Sequence, residues 1–252
     1  MKNALNSSSI ERYSRQIILK DLGPTGQKKI IKSSVLIIGA GGLGCPVIDY
    51  LSRAGVGRIG VVDFDKVSLS NIHRQSLFSS KDLNKYKVDV LKKKIKEINP
   101  SINLKTFKTR IEEKNIVKIF KNYEIIVDGS DNFNTKFLIN KYSLIFKKQL
   151  ILGAISKFDG HVFTFDFQKK NIPCLKCFYQ NQPSDDIISC ERDGIMGPVA
   201  GVVGNIQANE VLKKILNLGK DLSGQILILN LKKLEFRAVK FKKKKKCLCS
   251  DF

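Results

Sequence analysis

Three glycines mark the first candidate binding site in this sequence. Gly39, Gly41 and Gly44 have the spacing GxGxxG and stand between an apolar run and a helical stretch. Glycine permits positive φ and lets backbone N–H groups approach phosphate oxygens, and the start of a helix favours an anion. Asp63 closes the next predicted strand, where folds of this kind hold ribose hydroxyls with an acid. The pattern predicts a site for an adenine nucleotide, NAD or ATP, rather than a tight turn without a ligand.

Polar side chains that could surround the phosphates follow further along the chain. Asn71 and Arg74 lie in the segment SNIHRQ, Lys87 opens a predicted helix, and Asp131 follows the apolar segment EIIVD. Two cations and a carboxylate suit phosphoryl or nucleotidyl transfer, because the oxygens around phosphorus carry negative charge that a metal ion shares. Hydride transfer with NAD would leave these residues without a function, although each cation alone could be a solvated surface charge. The segment GxxxxGK[ST] is absent, so ATP is not expected on a loop of that kind.

Two pairs of cysteines have a spacing that suits a metal site. Cys174 and Cys177 form a C-x-x-C motif, and Cys247 and Cys249 form a C-x-C motif further along. In a reducing compartment such pairs are typical of a tetrahedral structural Zn²⁺, which would tie the C-terminus to the loop of the first pair. Reduced free thiols or a lost metal site are the alternatives. Cys45 follows the glycine turn and is expected to pack as a small residue in the core.

Hydrophobic periodicity predicts the elements that position these residues. Strands alternate with helices up to about residue 155, which indicates βαβ units around a mainly parallel sheet, and the later strands alternate like antiparallel ones. We therefore predict an α/β fold with a Rossmann-like, doubly wound, mainly parallel sheet that is extended by antiparallel C-terminal strands. The chain is expected to form a single domain over 1–252, with a nucleotide-binding half at 10–155 and an antiparallel half at 156–252 that carries the cysteine loop.

The predicted helices cover 10–20, 86–98, 112–120, 132–146 and 197–216, together with a stretch after the glycine turn that ends near residue 54. The predicted strands cover 35–38, 58–63, 104–108, 124–128, 150–153, 161–167, 225–231 and 235–241. Residues 21–26 contain two glycines and a proline, which indicates a turn, and residues 171–194 are expected to form a loop.

In this order the motifs resemble the MoeB/ThiF family of adenylyltransferases, the bacterial relatives of the ubiquitin-activating enzymes. The likeness covers essentially residues 10–250 and is carried by RYSRQ at 12–16, GAGGLGC at 39–45, DFDKVSLSNIHRQ at 63–75, Lys87, DGSDN at 128–132, CLKC at 174–177 and the last cysteine pair.

The resemblance implies a reaction. The enzyme would bind ATP, Mg²⁺ and a small ubiquitin-like sulfur carrier that ends in Gly-Gly. The terminal carboxylate of the carrier attacks the α-phosphorus, pyrophosphate leaves, and an acyl-adenylate remains for sulfur transfer. The carrier would be that of molybdenum cofactor biosynthesis, with the carrier of thiamine biosynthesis as the alternative. An NAD-dependent oxidoreductase on the same fold is the remote alternative.

The resemblance also implies roles for individual residues. Gly41 and its neighbours would line the phosphates, Asp63 would hold the ribose, and Asp131 would hold Mg²⁺. Arg15 would be supplied by the neighbouring subunit, which implies a homodimer with shared sites. Nucleotide binding is expected of Gly39, Gly41, Gly42, Gly44, Asp63, Asp65, Asn71, Arg74, Gln75, Lys87 and Asp131, and catalysis of Arg15, Arg74, Lys87, Asp131 and Cys190.

The sequence departs from the family at two positions. The second cysteine pair is normally C-x-x-C, and Asn84 stands where relatives often carry glycine; asparagine tolerates the left-handed conformation, so the turn is expected to survive. Cys190 matches a loop cysteine that some relatives use for a thioester or persulfide link, although it could be a dispensable exposed thiol. A C-terminal sulfurtransferase domain is not expected, so a separate sulfurtransferase or cysteine desulfurase would supply sulfur.

Composition excludes several classes of protein. The 252 residues include 45 Lys and Arg against 23 Asp and Glu, a formal net charge of +22, and 42% of them are hydrophobic. A core can therefore form, while no apolar run is long enough to span a membrane. The basic excess is spread along the chain, so we interpret it as a compositional trend; a polyanion partner is the alternative, but no nucleic-acid recognition motif is found. The N-terminus lacks the apolar region of a secretory signal, so a cytoplasmic protein is expected.

Overall fold

The computed structural model describes residues 5–179, 181–184, 194–245 and 247–251, without the side chains of residues 248 and 251. Within these residues, strands form one continuous sheet with the spatial order β3-β2-β1-β4-β5-β6-β7-β8. The strands are β1 (Ser34–Ile38), β2 (Arg58–Val62), β3 (Asn103–Phe107), β4 (Ile125–Asp128), β5 (Gln149–Ser156), β6 (Asp159–Asp166), β7 (Gln225–Asn230) and β8 (Glu235–Lys240).

The sheet changes character between β5 and β6. Strands β1 to β5 pair in parallel, and β6, β7 and β8 continue the sheet with antiparallel pairing. The chain winds outward from β1 in both directions, since β1 pairs with β2 on one side and with β4 on the other. Ligands of such sheets bind where the strand order reverses, at the carboxyl ends of the strands. The predicted fold class is confirmed.

Helices cover both faces of the sheet, because successive residues of a strand point to opposite sides and β1 is buried throughout. Val35 and Ile37 face one hydrophobic core, and Leu36 and Ile38 face the other. The helices are α1 (Ser7–Arg12), α2 (Ser14–Ile17), α3 (Gly23–Lys32), α4 (Gly44–Ala54), α5 (Lys87–Ile98), α6 (Glu113–Phe120), α7 (Phe133–Ile145), α8 (Leu175–Phe178) and α9 (Gly197–Leu216). Residues of α3, α4, α5 and α9 pack in the first core, and those of α6, α7 and α8 in the second.

The N-terminal segment corrects two predictions. The helix predicted at 10–20 is broken at Tyr13, whose buried ring packs against Gly55 and whose hydroxyl accepts a hydrogen bond from Asn99 Nδ2 at 2.8 Å. The turn predicted at 21–26 is confirmed only for residues 21 and 22. Helix α3 already begins at Gly23, because proline fits the first turn of a helix, where its missing N–H is not needed.

Two smaller predictions agree with the structure. Asn84 adopts φ +64° and so replaces a glycine in the left-handed conformation. Cys45 is fully buried, and burial raises the pKa of its thiol to about 12, as befits a packing residue rather than a nucleophile. None of the described helices is long and apolar enough to cross a membrane. The cytoplasmic location stays a prediction.

Candidate functional site

A cavity of about 710 Å³ opens at the carboxyl ends of β1, β2 and β4. Its size lies in the range of ligand sites, roughly 300 to 1,000 Å³. Ten of the eleven residues predicted to bind nucleotide line it, and the other, Gly44, begins α4. Segments far apart in the sequence thus meet at the point where the strand order reverses. The ten are Gly39, Gly41, Gly42, Asp63, Asp65, Asn71, Arg74, Gln75, Lys87 and Asp131.

The glycine turn depends on the absence of side chains at two positions. Gly39 has φ +91°, and a Cβ there would lie 2.8 Å from the carbonyl oxygen of Gly129. A Cβ on Gly44 would lie 1.9 Å from the carbonyl oxygen of Gly39. The turn therefore brings the first residues of α4 against the loop after β4, and the positive end of the helix dipole lies beside the cavity.

Asp63 shapes this turn from the end of β2. Its Oδ2 accepts the N–H of Ala40 at 2.7 Å and its Oδ1 accepts the N–H of Asp65 at 2.8 Å. Burial raises the pKa of this carboxyl above its usual value, although Lys87 and the two N–H groups oppose the shift. Each carboxylate oxygen can accept a further hydrogen bond, so Asp63 can still receive ribose hydroxyls.

Both predicted cations are held in place by other residues. Arg74 is half-buried, and its Nη2 donates to Asn71 Oδ1 at 2.8 Å while its Nη1 donates to the carbonyl oxygen of Ser70 at 3.1 Å. The Lys87 side chain is only 4% exposed and its Nζ lies 3.1 Å from Asp65 Oδ2. These positions exclude the alternative that either residue is a freely solvated surface charge.

Gln75 lines the same cavity, and its side chain is 3% exposed. Its Oε1 is shielded from solvent and has no hydrogen-bond partner among the described residues. Buried polar atoms in native proteins are nearly always hydrogen-bonded, and four further buried side-chain atoms of the described residues also lack a partner.

Three predicted catalytic residues have different surroundings. Asp131 is exposed in the cavity wall, and its Oδ1 accepts a hydrogen bond from Asn132 Nδ2 at 3.2 Å. Arg15 is exposed on α2 and does not line the cavity of its own chain. Cys190 lies outside the described residues.

The position of Arg15 is set by the packing of α2. Its neighbour Gln16 donates from Nε2 to the carbonyl oxygen of Ala54 at 3.3 Å, at the C-terminal end of α4. The N-terminal end of α4 adjoins the cavity, and an 11-residue helix is about 16 Å long. Arg15 therefore lies roughly a helix length from its own glycine turn.

Sequence reasoning missed two groups of residues. Thr109, Arg110, Ile111 and Glu112 line the cavity after β3, and the Arg110 guanidinium lies 4.0 Å from the centre of the Phe64 ring. The rule that ligands bind at the carboxyl ends of parallel strands could have found this segment. Behind the cavity wall, Asp128 and Lys136 form a buried ion pair with 3.3 Å between Oδ2 and Nζ. The sequence feature that could have indicated this pair is the spacing of Lys136 from Phe133, which places both residues on the buried face of α7.

The four cysteines predicted to bind metal come together. Their sulfur atoms all lie within 4.8 Å of one another, with 3.5 Å between Cys174 and Cys247 and 3.3 Å between Cys177 and Cys249. Four sulfurs around Zn²⁺ at about 2.3 Å would be roughly 3.8 Å apart, so the donor set fits such an ion. The shortened C-x-C motif reaches the site because a 3₁₀ turn, Leu248–Asp251, carries Cys249 inward.

The thiols of this cluster differ in their surroundings. Burial raises the pKa of Cys174 to about 11. Burial also acts on Cys177, but the N–H groups of Lys244 and Cys174, together with the thiols of Cys249 and Cys247, leave the pKa of the Cys177 thiol below its usual value. The Lys244 N–H donates to Cys177 Sγ at 3.4 Å. A metal ion binds the thiolate form of cysteine, so Cys177 gives up its proton to such an ion more readily than Cys174.

The fold and the cavity define a Rossmann-like nucleotide-binding protein whose glycine turn and positioned cations suit a polyphosphate. The model of the ThiF family matches residues 13–250, and the chain belongs to this family. The predicted resemblance is confirmed.

Curated relatives match over nearly the whole chain. A sulfur carrier protein adenylyltransferase of Thermus thermophilus is 38% identical over 247 residues, which cover 96% of this chain and 91% of the relative. The adenylyltransferase and sulfurtransferase MOCS3 of Aedes aegypti is 38% identical over 252 residues, 99% of this chain but 57% of the relative. A probable molybdopterin-synthase adenylyltransferase of Gracilaria tenuistipitata var. liui is 37% identical over 238 residues, 94% of this chain and 66% of the relative.

Solved structures confirm the fold. The crystal structure of E. coli MccB with ATP superimposes with a TM-score of 0.82 at 23% identity, covering 95% of this chain and 74% of that one. The structure of E. coli MccB with MccA-N7isoASN gives a TM-score of 0.83 at 22% identity, with 97% and 76% coverage.

Proposed function

We propose that this protein uses ATP to adenylylate the C-terminal glycine of a small ubiquitin-like sulfur-carrier protein, which prepares the carrier for sulfur transfer in molybdenum cofactor biosynthesis. The prediction of an adenylyltransferase is confirmed by the names of the relatives. The observation that carries the proposal is the cavity, where the glycine turn, the start of α4, Arg74 and Lys87 meet. Neither the thiamine-type carrier nor NAD chemistry is favoured by these relatives.

The cavity supplies what this reaction needs. The nucleophile is a carboxylate, which is already ionised at pH 7 and requires no general base. The catalytic task is to align the carboxylate with the α-phosphorus and to balance the negative charge that spreads over the phosphate oxygens. Backbone N–H groups of the glycine turn, together with Arg74 and Lys87, would do this, because both cations are already held by neighbours. Asp63 would hold the ribose, and Gln75 would line the nucleotide site.

Asp131 would hold Mg²⁺ in this scheme. An exposed carboxylate in the cavity wall matches the oxygen ligands that Mg²⁺ prefers. Because Mg²⁺ usually binds only one or two protein carboxylates, its other ligand positions would be taken by water and by phosphate oxygens. The ion would supply additional positive charge to the phosphates. Zn²⁺ bound by the four cysteines would be structural, because it would have no open ligand position.

A homodimer with shared sites follows from the position of Arg15. This residue is too far from its own cavity to act there, so we propose that it enters the cavity of a second copy. Its surroundings suit an interface, because Ile10, Ile18 and Leu19 are 51%, 68% and 56% exposed. A separate sulfurtransferase or cysteine desulfurase would deliver sulfur. A covalent role for Cys190 stays a prediction.

The proposal is tested by ATP–pyrophosphate exchange with purified carrier proteins. We expect exchange that depends on a molybdopterin-type carrier with a free Gly-Gly end and that stops when the last glycine is removed. Mass spectrometry of the carrier should show the gain of one adenylyl group. Exchange with the thiamine-type carrier alone would reassign the pathway, and absence of exchange with both carriers would contradict the proposed reaction.

A further inference from the structure

The parallel pairing of β4 and β5 ends beside the cavity. The parallel ladder between these strands ends with the pair Asp128 and Leu152. Beyond it, Ser130 and Asp131 line the cavity from one strand, and Ala154 and Ile155 line it from the other. Backbone carbonyl groups beyond the end of a ladder lose their partners across it and need other donors.

Lys136 provides these donors from behind the cavity wall. Its side chain is 2% exposed, and Nζ donates to the carbonyl oxygens of Ser130 and Gly153, each at 2.7 Å. The third partner is Asp128 Oδ2 at 3.3 Å. An ammonium group has three donors and no acceptor, so all of them are in use. Lys136 therefore bridges the two strands where their own hydrogen bonds stop.

Asp128 completes the arrangement and is itself fully buried. Its Oδ1 accepts the N–H and the hydroxyl of Ser130 at 2.8 and 2.6 Å, which closes the turn that leads to Asp131. A buried cation is tolerated only with such a partner, because desolvation of an unpaired charge is costly. The pair thus carries no net charge and holds the turn from two sides.

We propose that Lys136 is a positioning residue for the adenylylation reaction. It sets the turn that presents Asp131 and the distance between that turn and β5, without touching the nucleotide itself. This inference rests on the proposed function only for its catalytic consequence. The structural consequence, an ordered turn at residues 129–132, holds for the protein alone.

The first test compares Lys136→Met with Lys141→Met. Methionine keeps an unbranched side chain that is one heavy atom shorter and lacks the three donors. Lys141 lies on the same helix, and its side chain is 43% exposed. We expect Lys136→Met to lower kcat/KM for exchange by roughly 10²-fold, because a displacement of catalytic groups by about 1 Å reduces the rate by about this factor. The variant should also need a higher Mg²⁺ concentration for its half-maximal rate. Lys141→Met should match the wild type in both measurements.

A double variant separates positioning from stability. Lys136→Met alone leaves Asp128 as an unpaired buried charge and can prevent folding, whereas Asp128→Asn with Lys136→Met removes both charges. We expect the double variant to melt closer to the wild type than the single variant, yet to keep the catalytic defect and the raised Mg²⁺ requirement. If recovery of the melting temperature restores activity as well, the role of Lys136 is merely structural and the proposal is wrong.

Hydrogen exchange of the protein without nucleotide or carrier gives an independent readout. The Gly129 and Ser130 amides are hydrogen-bonded to Ile38 O and Asp128 Oδ1 at 2.9 and 2.8 Å. We expect them to exchange at least roughly tenfold faster in the double variant, while the β1 amides stay unchanged. Unchanged exchange at both positions would overturn the proposal whether or not the wild type adenylylates any carrier. Failure of the wild type in the exchange assay would instead contradict the proposed function.

Discussion

At the scale of single residues, the charges of the cavity are arranged before a nucleotide binds. Arg74 is held by Asn71 and by the Ser70 carbonyl group, and Lys87 is held by Asp65. A cation that is fixed in this way loses little further freedom when the phosphates arrive, so more of the interaction is available to the transition state. This is the preorganisation that nucleotidyl transfer requires, since its catalysis consists mainly of positioning and charge balance.

Arg74→Ala should reduce carrier-dependent ATP–pyrophosphate exchange by roughly 10²-fold or more, because it removes a fixed cation from the transferring phosphates. The matched control is Arg58→Ala, since Arg58 is exposed at the opposite end of β2. Turnover numbers of the two variants, measured at saturating ATP, check the prediction. An Arg74→Ala enzyme as active as the control would remove Arg74 from the site.

At the scale of elements, the cysteine cluster joins α8 to the segment after β8, which the rings of Phe178 and Phe241 also bring together, with 5.5 Å between their centres. Cys174 immediately precedes α8 and Cys177 lies within it, while Cys247 precedes the last 3₁₀ turn and Cys249 lies in it. The loop of α8 packs on α7, because the N–H of Leu175 donates to Asn140 Oδ1 at 2.9 Å. A metal ion in the cluster would therefore connect the C-terminus to the helix that carries Lys136.

Removal of the metal should destabilise the protein. An ion present at a thousand times its dissociation constant stabilises the folded state by about 4 kcal/mol, which corresponds to roughly 10 °C in the melting temperature of a domain of this size. We expect a strong chelator to lower the melting temperature by that amount and added Zn²⁺ to restore it. Cys249→Ser should have the lower melting temperature even without chelator. If the purified protein contains no zinc and its melting temperature is the same with and without chelator, the proposed structural role of the metal is wrong.

At the scale of the whole molecule, the net charge of +22 has a consequence for association. A strongly basic protein attracts an acidic partner over several ångströms, and salt screens this attraction. If the carrier is acidic, kcat/KM for the carrier should fall about tenfold between roughly 0.05 and 0.5 M salt, while kcat at saturating carrier changes little. A rate independent of salt would indicate that the basic excess has no role in carrier binding.

The proposed homodimer gives a prediction that a monomer cannot satisfy. Arg15→Ala and Arg74→Ala should each be inactive, because each removes a cation from every site. When equal amounts are mixed and allowed to exchange subunits, half of the dimers are mixed, and each contains one intact site of two. Activity should therefore return to roughly a quarter of the wild-type value. Mixed samples that stay inactive after proven subunit exchange would contradict a shared site.

The sequence alone determined the order of strands and helices, the glycine turn and the identity of the charged residues around it. These features are local: apolar periodicity marks each element, and the C-terminal ends of parallel strands must share one edge of the sheet. That is why residues as distant as Gly41 and Asp131 could be placed in one cavity, and why the cysteine pairs could be predicted as one cluster.

The contacts that hold these residues could be found only from the folded chain. The pairing of Lys87 with Asp65, the break of the N-terminal helix at Tyr13 and the buried bridge from Lys136 to Ser130 and Gly153 all depend on contacts between distant segments. A lysine in a sequence looks the same whether it is solvated or buried. Burial follows from which elements pack together, and the free energy of desolvation then selects the partners that each buried charge must have.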